Sequence, residues 1–195
     1  MNATYFTMPD AKVALFPNLF TDEESELYLR LLQERIQWQS ESIRLYGKEI
    51  PVPRLTAWHG DEGARYKYSN IQHEPIPWTL ELLTIKARIE PLCDVEFNSC
   101  LLNLYRFGQD SMSWHSDDEK ELGRDPVIAS VSFGATRTFH FRHRFDPSLK
   151  QSIDLPSGSL LIMAGATQHF WRHQLPKTKR TIEPRINLTF RTIKL

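Results

Sequence analysis

The chain has 195 residues, and 24 Lys and Arg balance 24 Asp and Glu, so the formal net charge is zero. This length predicts one domain over residues 1–195, and two Cys are too few for a disulfide scaffold or a Cys-rich zinc module. No apolar run is long enough to span a membrane, and the N-terminus does not resemble a secretion signal. We expect a monomer with no membrane partner that is not secreted (cytoplasmic if bacterial, nuclear if eukaryotic).

The first half of the chain predicts two helices. Thr21 followed by Glu24 is a capping box, which predicts a helix that runs to about Gln37. A second helix is predicted to begin near Pro77 and to end at Pro91. Its apolar residues recur at helical spacing: Trp78, Leu82, Ile85 and Ile89.

The remaining segments predict strands and turns. Residues 43–70 are rich in Gly, Pro and aromatic residues, which indicates hairpins and loops. Short alternating strands are predicted near residues 101–107, 127–133, 139–142, 159–163 and 185–191. The last of these has a polar face of Arg185, Asn187, Thr189 and Arg191 opposite an apolar one. Short strands separated by turns favour a sandwich or a barrel.

A candidate metal site begins with His115 and Asp117. Residues two positions apart on an extended backbone point to the same side, so both side chains can reach one ion. A surface turn is the alternative, because His-x-Asp is common, and a third ligand has to come from His169 or His173. Two His and a carboxylate form the facial triad of Fe(II) oxygenases. The same ligands with a water suit a zinc hydrolase, so both metals stay open.

The polar face of the last strand favours iron. Arg185 and Arg191 share that face, and burying two Arg is costly unless they meet anions. The dicarboxylate 2-oxoglutarate supplies anions that Arg binds in a bidentate manner. Asn103 and Tyr105 lie on one face of an earlier strand and offer further hydrogen bonds. An exposed edge strand with a solvated basic face is the alternative.

Several segments together resemble the AlkB family of Fe(II)- and 2-oxoglutarate-dependent dioxygenases, especially its members that repair duplex DNA. They are LLNLYRFG (101–108), HSDDE (115–119), IASVSFGATRTFHFRHR (128–144), GSLLIM (158–163), HQLP (173–176) and PRINLTFR (184–191), with LYGKEIPVPR (45–54) and GARYKYSN (63–70) upstream. The resemblance covers about residues 13–195. It implies a mainly β fold with flanking helices, a double-stranded β-helix or jelly roll. Residues 43–70 would form a nucleotide-recognition lid and residues 100–195 the jelly-roll catalytic core.

The resemblance also implies which residues bind the cofactors Fe(II) and 2-oxoglutarate, with O₂ as cosubstrate. The metal ligands would be His115, Asp117 and His173, because His173 precedes Gln-Leu-Pro, and His169 would be a packing residue. The residues on 2-oxoglutarate would be Asn103, Tyr105, Arg185, Asn187, Thr189 and Arg191. Arg185 is the candidate for the far carboxylate, and Arg191 would lie nearer the metal.

The implied reaction is oxidative demethylation of N-alkylated bases such as N1-methyladenine and N3-methylcytosine in DNA, releasing formaldehyde and succinate. The enzyme has to take the base out of the stack. The implied substrate residues are Tyr46, Gly47, Lys48, Tyr66, Tyr68, Ser69, Asp118 and Glu119. Among them, Tyr46 would be a wedge that fills the vacated gap. Tyr66 and Tyr68 would stack on the base, and Asp118 would contact its cationic ring.

Two basic stretches are candidates for contacts with phosphate. They are Arg137, Arg142, His143, Arg144 and Lys150 in one, and Lys177, Lys179 and Arg180 in the other. Residues 144–152 are short beside the basic loop of the animal duplex-repair enzymes, which predicts weaker contacts with an opposite strand. Two other functions remain open: a dioxygenase of this fold that acts on RNA, protein or a small molecule, and a non-catalytic nucleic-acid-binding module. The aromatic lid disfavours a small-molecule substrate, and the triad with its Arg pair disfavours the binding module.

Overall fold

The first helix, α1 (Asp22–Arg35), begins at the predicted capping box. The Thr21 hydroxyl accepts a hydrogen bond from the Glu24 N–H, and the Glu24 carboxylate accepts one from the Thr21 N–H. These bonds satisfy two amide groups that the first helical turn leaves without partners.

The structure is a computed structural model that describes residues 2–45, 48–64, 66–68 and 71–194. For residues 43–45, 48–49, 66–68 and 71–73 it describes the backbone alone.

The second helix, α2 (Leu80–Cys93), follows the N-cap Thr79 and ends later than predicted. Pro91 lies inside its last turn, so the prediction that Pro91 ends the helix is wrong. Proline lacks only its own N–H, and the helix ends instead at Asp94. That residue adopts a left-handed conformation with φ of 54°, while its N–H still bonds to the Glu90 carbonyl.

Among the described residues no helix is long and apolar enough to cross a membrane.

The larger sheet of the described chain has seven antiparallel strands. They are β1 (Thr4–Phe6), β2 (Lys12–Phe16), β5 (Leu55–Gly60), β8 (Ser99–Tyr105), β10 (Ile128–Gly134), β13 (Ser159–Ala164) and β15 (Arg185–Arg191). Their order in space is β1-β2-β13-β10-β15-β8-β5. The last strand of the chain is therefore a central strand between β10 and β8, and the alternative of an exposed edge strand is wrong.

A smaller antiparallel sheet faces the larger one. Its strands are β9 (Met112–His115), β11 (Arg137–His143), β12 (Lys150–Leu155) and β14 (Trp171–Leu175), in the order β12-β11-β14-β9. Two hairpins lie outside both sheets, β3 (Ser42–Leu45) with β4 (Lys48–Pro51), and β6 (Tyr66–Tyr68) with β7 (Ile71–His73). Short helical turns complete the described elements, a 3-10 turn at Lys120–Leu122 and α3 at Thr167–Phe170. Two packed antiparallel sheets with flanking helices confirm the predicted jelly roll.

The larger sheet buries both of its faces, which creates two apolar layers. On one side Leu32 of α1 and Ile85 and Ile89 of α2 pack against the sheet. On the other side Phe141 and Trp171 of the smaller sheet pack against residues of the larger one, Ile128, Leu161 and Met163 among them. Polar side chains that enter the second layer are held between two walls of apolar residues, and this is where the functional site lies.

The middle of the segment predicted as a lid, residues 43–70, is a strand of the larger sheet. This strand is β5, which pairs along its whole length with β8. Trp58 donates a hydrogen bond to the Ser99 hydroxyl, at 2.8 Å between Nε1 and Oγ. His59 is buried, with its Nδ1 2.7 Å from the Pro77 carbonyl oxygen, and burial lowers its pKa. Both side chains therefore anchor β5 inside the fold, between the two hairpins of the predicted lid segment.

Glu24 joins the two helices and gives the fold a pH-dependent contribution to stability. Its carboxylate accepts two bonds from Arg88 of α2, at 2.8 and 2.6 Å. Those bonds and the Thr21 N–H lower the pKa of Glu24 from 4.5 to about 2. This contribution is complete above pH 4.5 and is lost as the pH falls towards 2. We expect Glu24→Gln to be less stable than the wild type at pH 7, with the difference shrinking below pH 4.5 in urea unfolding.

Glu26→Gln is the matched control, because Glu26 lies exposed on the same helix. It should unfold like the wild type at each pH. A stability difference for Glu24→Gln that does not change between pH 7 and pH 2 would contradict this assignment.

Candidate active site

Three potential metal ligands meet at one end of the smaller sheet. The Nε2 atoms of His115 and His173 are 3.0 Å apart, and the His173 Nε2 is 3.6 Å from a carboxylate oxygen of Asp117. One ligand atom from each of the three lies within 4.8 Å of the others. The structure therefore brings the two histidines and the carboxylate of the predicted triad together.

Strand pairing explains this convergence over more than fifty residues of chain. His115 ends β9 and lies directly opposite His173 of the neighbouring β14. The Asp117 N–H donates to the Gln168 side-chain oxygen at 3.0 Å, and the Ser116 hydroxyl donates to the Trp171 carbonyl. The turn after β9 is thus fixed against the segment that leads into β14, which holds both sides of the triad in register.

The electrostatics of the triad suit a cation. Burial acts to raise the pKa of Asp117, but the neighbouring charges of Arg191, His173 and His115 together hold it below its usual range. Arg191 donates directly to the Asp117 carboxylate. Burial, with the charge of His115, lowers the pKa of His173 to about 3. The Nδ1 of His115 is 2.8 Å from the Ser113 carbonyl, which favours a proton there and leaves Nε2 free as a ligand.

A pocket of about 470 Å³, partly open to solvent, extends from the triad along the inner face of the larger sheet. Its apolar wall is formed by Leu101, Met112, Phe139, Met163 and Leu175. Its polar wall contains every residue predicted to bind 2-oxoglutarate: Asn103, Tyr105, Arg185, Asn187, Thr189 and Arg191. The pocket therefore joins the predicted metal ligands to the predicted cosubstrate residues.

Arg185 is the deepest cation of this pocket. It is 2% exposed, and burial lowers its pKa to about 10. One guanidinium nitrogen donates to the Ser132 hydroxyl at 2.9 Å, and the guanidinium lies 5.3 Å from the centre of the Tyr105 ring. Its Nε has no hydrogen-bond partner among the described residues. A buried cation with an unused donor is costly unless an anion binds it, so the pocket suits a carboxylate at this end.

Two serines of β10 support the polar wall and were missed in the sequence. Ser130 accepts a bond from the Asn187 amide at 2.7 Å, and Ser132 accepts the bond from Arg185. The Thr189 hydroxyl donates to the Asn187 oxygen at 3.1 Å. Both serines alternate with buried apolar residues on their strand, so polar residues inside an apolar strand were an available signal.

Arg137 was predicted to contact phosphate, and the structure contradicts this. It is 4% exposed and donates to the backbone carbonyls of Asp110 and Pro176, at 3.2 and 2.5 Å. Its guanidinium lies 6.0 Å from the Tyr105 ring centre. Because Arg137 shares the inward face of β11 with buried Phe141, its position along the strand turns it away from solvent. Its role is to join two loops at the cosubstrate end of the pocket.

The remaining predicted residues lie at the rim or outside the described chain. Asp118 is paired with Arg144 at 3.0 Å, and Glu119 is the N-cap of the 3-10 turn that follows the triad segment. His169 lies 3.0 Å from Asp125 at the surface, away from the three ligands, which agrees with choosing His173. Lys48, Tyr66 and Tyr68 are described only as backbone of the two hairpins, and Tyr46, Gly47 and Ser69 lie outside the described residues.

The residues present fit Fe(II) and 2-oxoglutarate. Two ligands at about 2.1 Å from one ion and at right angles lie about 3 Å apart, which is the separation of the two imidazole nitrogens. Two imidazole nitrogens and one carboxylate match the facial triad of non-haem Fe(II) oxygenases. At the far end, the unused Arg185 donor fits the second carboxylate of a dicarboxylic acid.

Comparison with known proteins decides the family. Residues 12–191 match the model of the 2OG-Fe(II) oxygenase superfamily. Alpha-ketoglutarate-dependent dioxygenase alkB homolog 3 of Homo sapiens is 44% identical, over 94% of this chain and 66% of its own length. The chain belongs to the 2OG-Fe(II) oxygenase superfamily and, within it, to the AlkB family. DNA oxidative demethylase ALKBH2 of Homo sapiens is 37% identical, over 91% of this chain and 72% of its own.

A solved structure of this AlkB-family fold agrees with the architecture. OsALKBH1 superposes with a TM-score of 0.70 over 98% of this chain and 100% of that chain, at 15% identity. At the level of the family, the predicted dioxygenase class and its Fe(II), 2-oxoglutarate and O₂ are confirmed. The chain spans 66% of the length of alkB homolog 3 from Homo sapiens and from Mus musculus.

The choice of third ligand is testable by metal binding. We expect His173→Ala to weaken binding of Mn(II), a redox-silent substitute for Fe(II), by about a hundredfold or more, because a ligand matters more than the residues that support it. Calorimetric titration measures this directly. His169→Ala is the control and should bind Mn(II) like the wild type. Equal losses of Mn(II) affinity in both variants, or no loss in His173→Ala, would show that His173 is not the third metal ligand.

Arg137 should affect cosubstrate binding although it does not line the pocket. We expect Arg137→Met to weaken 2-oxoglutarate binding about tenfold in the presence of Mn(II), since losing charge-assisted bonds releases both loops beside Tyr105. Calorimetry measures the change in Kd. Arg124→Met, at an exposed position, is the control. An Arg137→Met protein with unaltered affinity would reduce this side chain to a packing role.

Proposed function

We propose that this chain is an Fe(II)- and 2-oxoglutarate-dependent dioxygenase that demethylates N-alkylated bases in nucleic acid. One observation carries the proposal: the His-Asp-His cluster opens into a pocket whose far wall holds a buried, incompletely bonded arginine. A hydrolytic zinc needs only a water beside its three protein ligands, whereas a chelating dicarboxylate cosubstrate needs a cation at the far end of the pocket as well. The pocket therefore supports a metal with a dicarboxylate cosubstrate.

In this proposal His115, Asp117 and His173 hold Fe(II). Arg185 binds the far carboxylate of 2-oxoglutarate, and Tyr105 beside it supplies a phenol. Asn103, Asn187 and Thr189 orient the cosubstrate along the sheet by hydrogen bonds. Arg191 keeps Asp117 ionised and in place through its direct bond. When bound, Fe(II) and 2-oxoglutarate would let O₂ hydroxylate an N-methyl group with one of its oxygen atoms, while the other enters the succinate formed from 2-oxoglutarate with loss of CO₂; the hydroxymethyl product then releases formaldehyde.

The protein also has to keep water away from the reacting groups. Leu101, Met112, Phe139 and Leu175 form the apolar side of the pocket next to the triad. The Phe139 ring lies 5.1 Å from the His173 ring, centre to centre. Such walls exclude solvent and offer apolar surface against which a flat base can pack. These contacts support a methylated base as substrate.

DNA is the proposed nucleic acid, with N1-methyladenine and N3-methylcytosine as the proposed lesions. The support is the relatedness to proteins named DNA oxidative demethylase and the position of Asp118, next to the ligand Asp117. A carboxylate there is placed to attract a base that methylation has made cationic. The hairpins β3-β4 and β6-β7 flank β5, as a lid that holds a flipped base would require.

Further parts of the proposal come from the sequence. Tyr46 is proposed as the wedge and Tyr66 with Tyr68 as base-stacking residues, while Gly47, Lys48, Ser69 and Glu119 complete the substrate contacts. Residues 1–195 are proposed to act as a single AlkB-like domain and as a monomer. These assignments make the hairpins, rather than the sheets, the part of the molecule that selects nucleic acid.

A substrate panel tests the proposed function. N1-methyladenine, N3-methylcytosine and etheno adducts are offered in single- and double-stranded DNA and in RNA, with formaldehyde release and mass change as readouts. We expect turnover of the two methylated bases in DNA. Turnover in RNA alone would replace the proposed substrate. Turnover of none of them, with a protein that binds Mn(II) and 2-oxoglutarate, would refute base demethylation.

Arg185 provides the matching test of cosubstrate recognition. We expect Arg185→Gln to raise the KM for 2-oxoglutarate about tenfold or more, because a charge-assisted bond to the far carboxylate is lost. Arg30→Gln, on the exposed side of α1, is the control and should keep the KM of the wild type. If Arg185→Gln instead raised the KM for the methylated strand and left the KM for 2-oxoglutarate unchanged, Arg185 would bind the nucleic acid and not the cosubstrate.

A further inference from the structure

The outer face of the smaller sheet carries an unusual group of cations and aromatic rings. This outer platform consists of Trp114, Arg142, Phe145, Lys150 and Arg172. The three cations and Trp114 are on the side of the sheet opposite to the buried Phe141 and His173. Phe145 follows β11 in the turn towards β12. None of these residues lines the pocket.

The cations form a row across three strands. Lys150 of β12 lies opposite Arg142 of β11, and Arg142 lies opposite Arg172 of β14. Directly opposed residues of antiparallel strands project from the same face, and like charges there repel one another. Among the described residues no carboxylate forms an ion pair with any of the three. A polyanion lying across the strands would neutralise this row.

The aromatic rings of the platform are held in place. The Arg142 guanidinium lies 4.2 Å from the centre of the Trp114 ring. Phe145 is 74% exposed, yet its ring contacts those of Phe170 and His143, with centres 6.1 and 5.9 Å away. The turn that carries it is closed by bonds from the backbone N–H groups of residues 145 and 146 to the His143 Nδ1. Phe145 is thus a preorganised ring that faces solvent.

The platform is connected to the rim of the active site. Arg144, next to Phe145, reaches Asp118 with 3.0 Å between the charged atoms, and Asp118 follows the ligand Asp117. The turn that carries Phe145 is therefore linked to the segment after the proposed ligand Asp117, so a strand bound at the rim of the active site has the platform as its neighbour. Cations that track a backbone, together with exposed rings on which bases stack, are how proteins bind single strands without sequence preference.

We propose that the outer platform binds the single strand that flanks the target nucleotide, with Phe145 stacking on a base and the cation row contacting phosphates. This inference rests on the proposed function for the identity of the strand. It adds a second binding region, separate from the hairpins and the pocket. Binding without catalysis measures it, so failure of demethylation and failure of the platform are distinguishable.

The first test compares undamaged DNA strands of about 4 and about 15 nucleotides by fluorescence anisotropy. The wild type should bind the longer strand much more tightly, and Phe145→Ala should lose about tenfold of that gain in affinity. Tyr5→Ala is the control, because Tyr5 is 77% exposed on edge strand β1 of the other sheet. A gain that is the same in Phe145→Ala and in the wild type would overturn the stacking role.

The second test uses salt. Removing one phosphate contact should reduce the slope of log K against log salt by about 0.7 for a single strand. We expect this for Arg172→Gln with the longer strand and expect no change for Arg30→Gln on the helical side. An unchanged slope for Arg172→Gln would overturn the role of the cation row. Phe145-dependent self-association in sedimentation, without any gain in affinity with strand length, would identify a protein contact instead and overturn the proposal.

Discussion

The direct bond between Arg191 and Asp117 joins the two sheets at the point on which the site depends. Arg191 is the last residue of β15 in the larger sheet, and Asp117 follows β9 of the smaller one. Burying the Asp117 carboxylate without this cation would be costly, so the two sheets have to close with this register. The same closure places His173 of β14 opposite His115 of β9. The packing of the two sheets therefore also brings the proposed metal ligands together. A shift of one residue in the register of β15 would turn its polar face towards the helices.

Much of this arrangement was predictable because the relevant strands alternate strictly. The polar residues of β15 recur at every second position, which predicts one shared face whether or not the strand is buried. The third predicted metal ligand was different: strand pairing between β9 and β14 brings His173, and not His169, next to His115, and no local pattern contains that information. Resemblance to a family supplied the choice, and the register of His173 opposite His115 explains it physically.

The wrong predictions share one cause, which is tertiary context overriding a local signal. A proline often ends a helix, but here the helix continues past Pro91, because its last turn packs into the core through buried Cys93. Residues 55–60 belong to the segment whose Gly, Pro and aromatic content predicts hairpins and loops, yet β5 pairs with β8 and is part of the larger sheet. Arg137 read as a surface cation beside Arg142 and Arg144, but one face of β11 points inward. Basic residues close together on one strand can therefore lie on its buried or on its outer face, and the zero net charge of the chain gives no information about which.

The segment that follows the predicted lid hairpin β3-β4 is bonded to the polar wall of the pocket. The segment between β4 and β5 contains Arg54, whose Nε donates to the Asn103 side-chain oxygen at 2.6 Å. The neighbouring Pro53 carbonyl accepts the Ser111 N–H at 2.9 Å. Because the Asn103 oxygen is engaged by a cation, its amide nitrogen is the group that remains to donate towards the pocket, the correct polarity for a carboxylate. Displacing the β3-β4 hairpin would disturb Arg54 and with it the orientation of Asn103. The segment that follows the β3-β4 hairpin and the polar wall of the pocket are thus joined through one side chain, although Arg54 and Asn103 are far apart in the order of the chain.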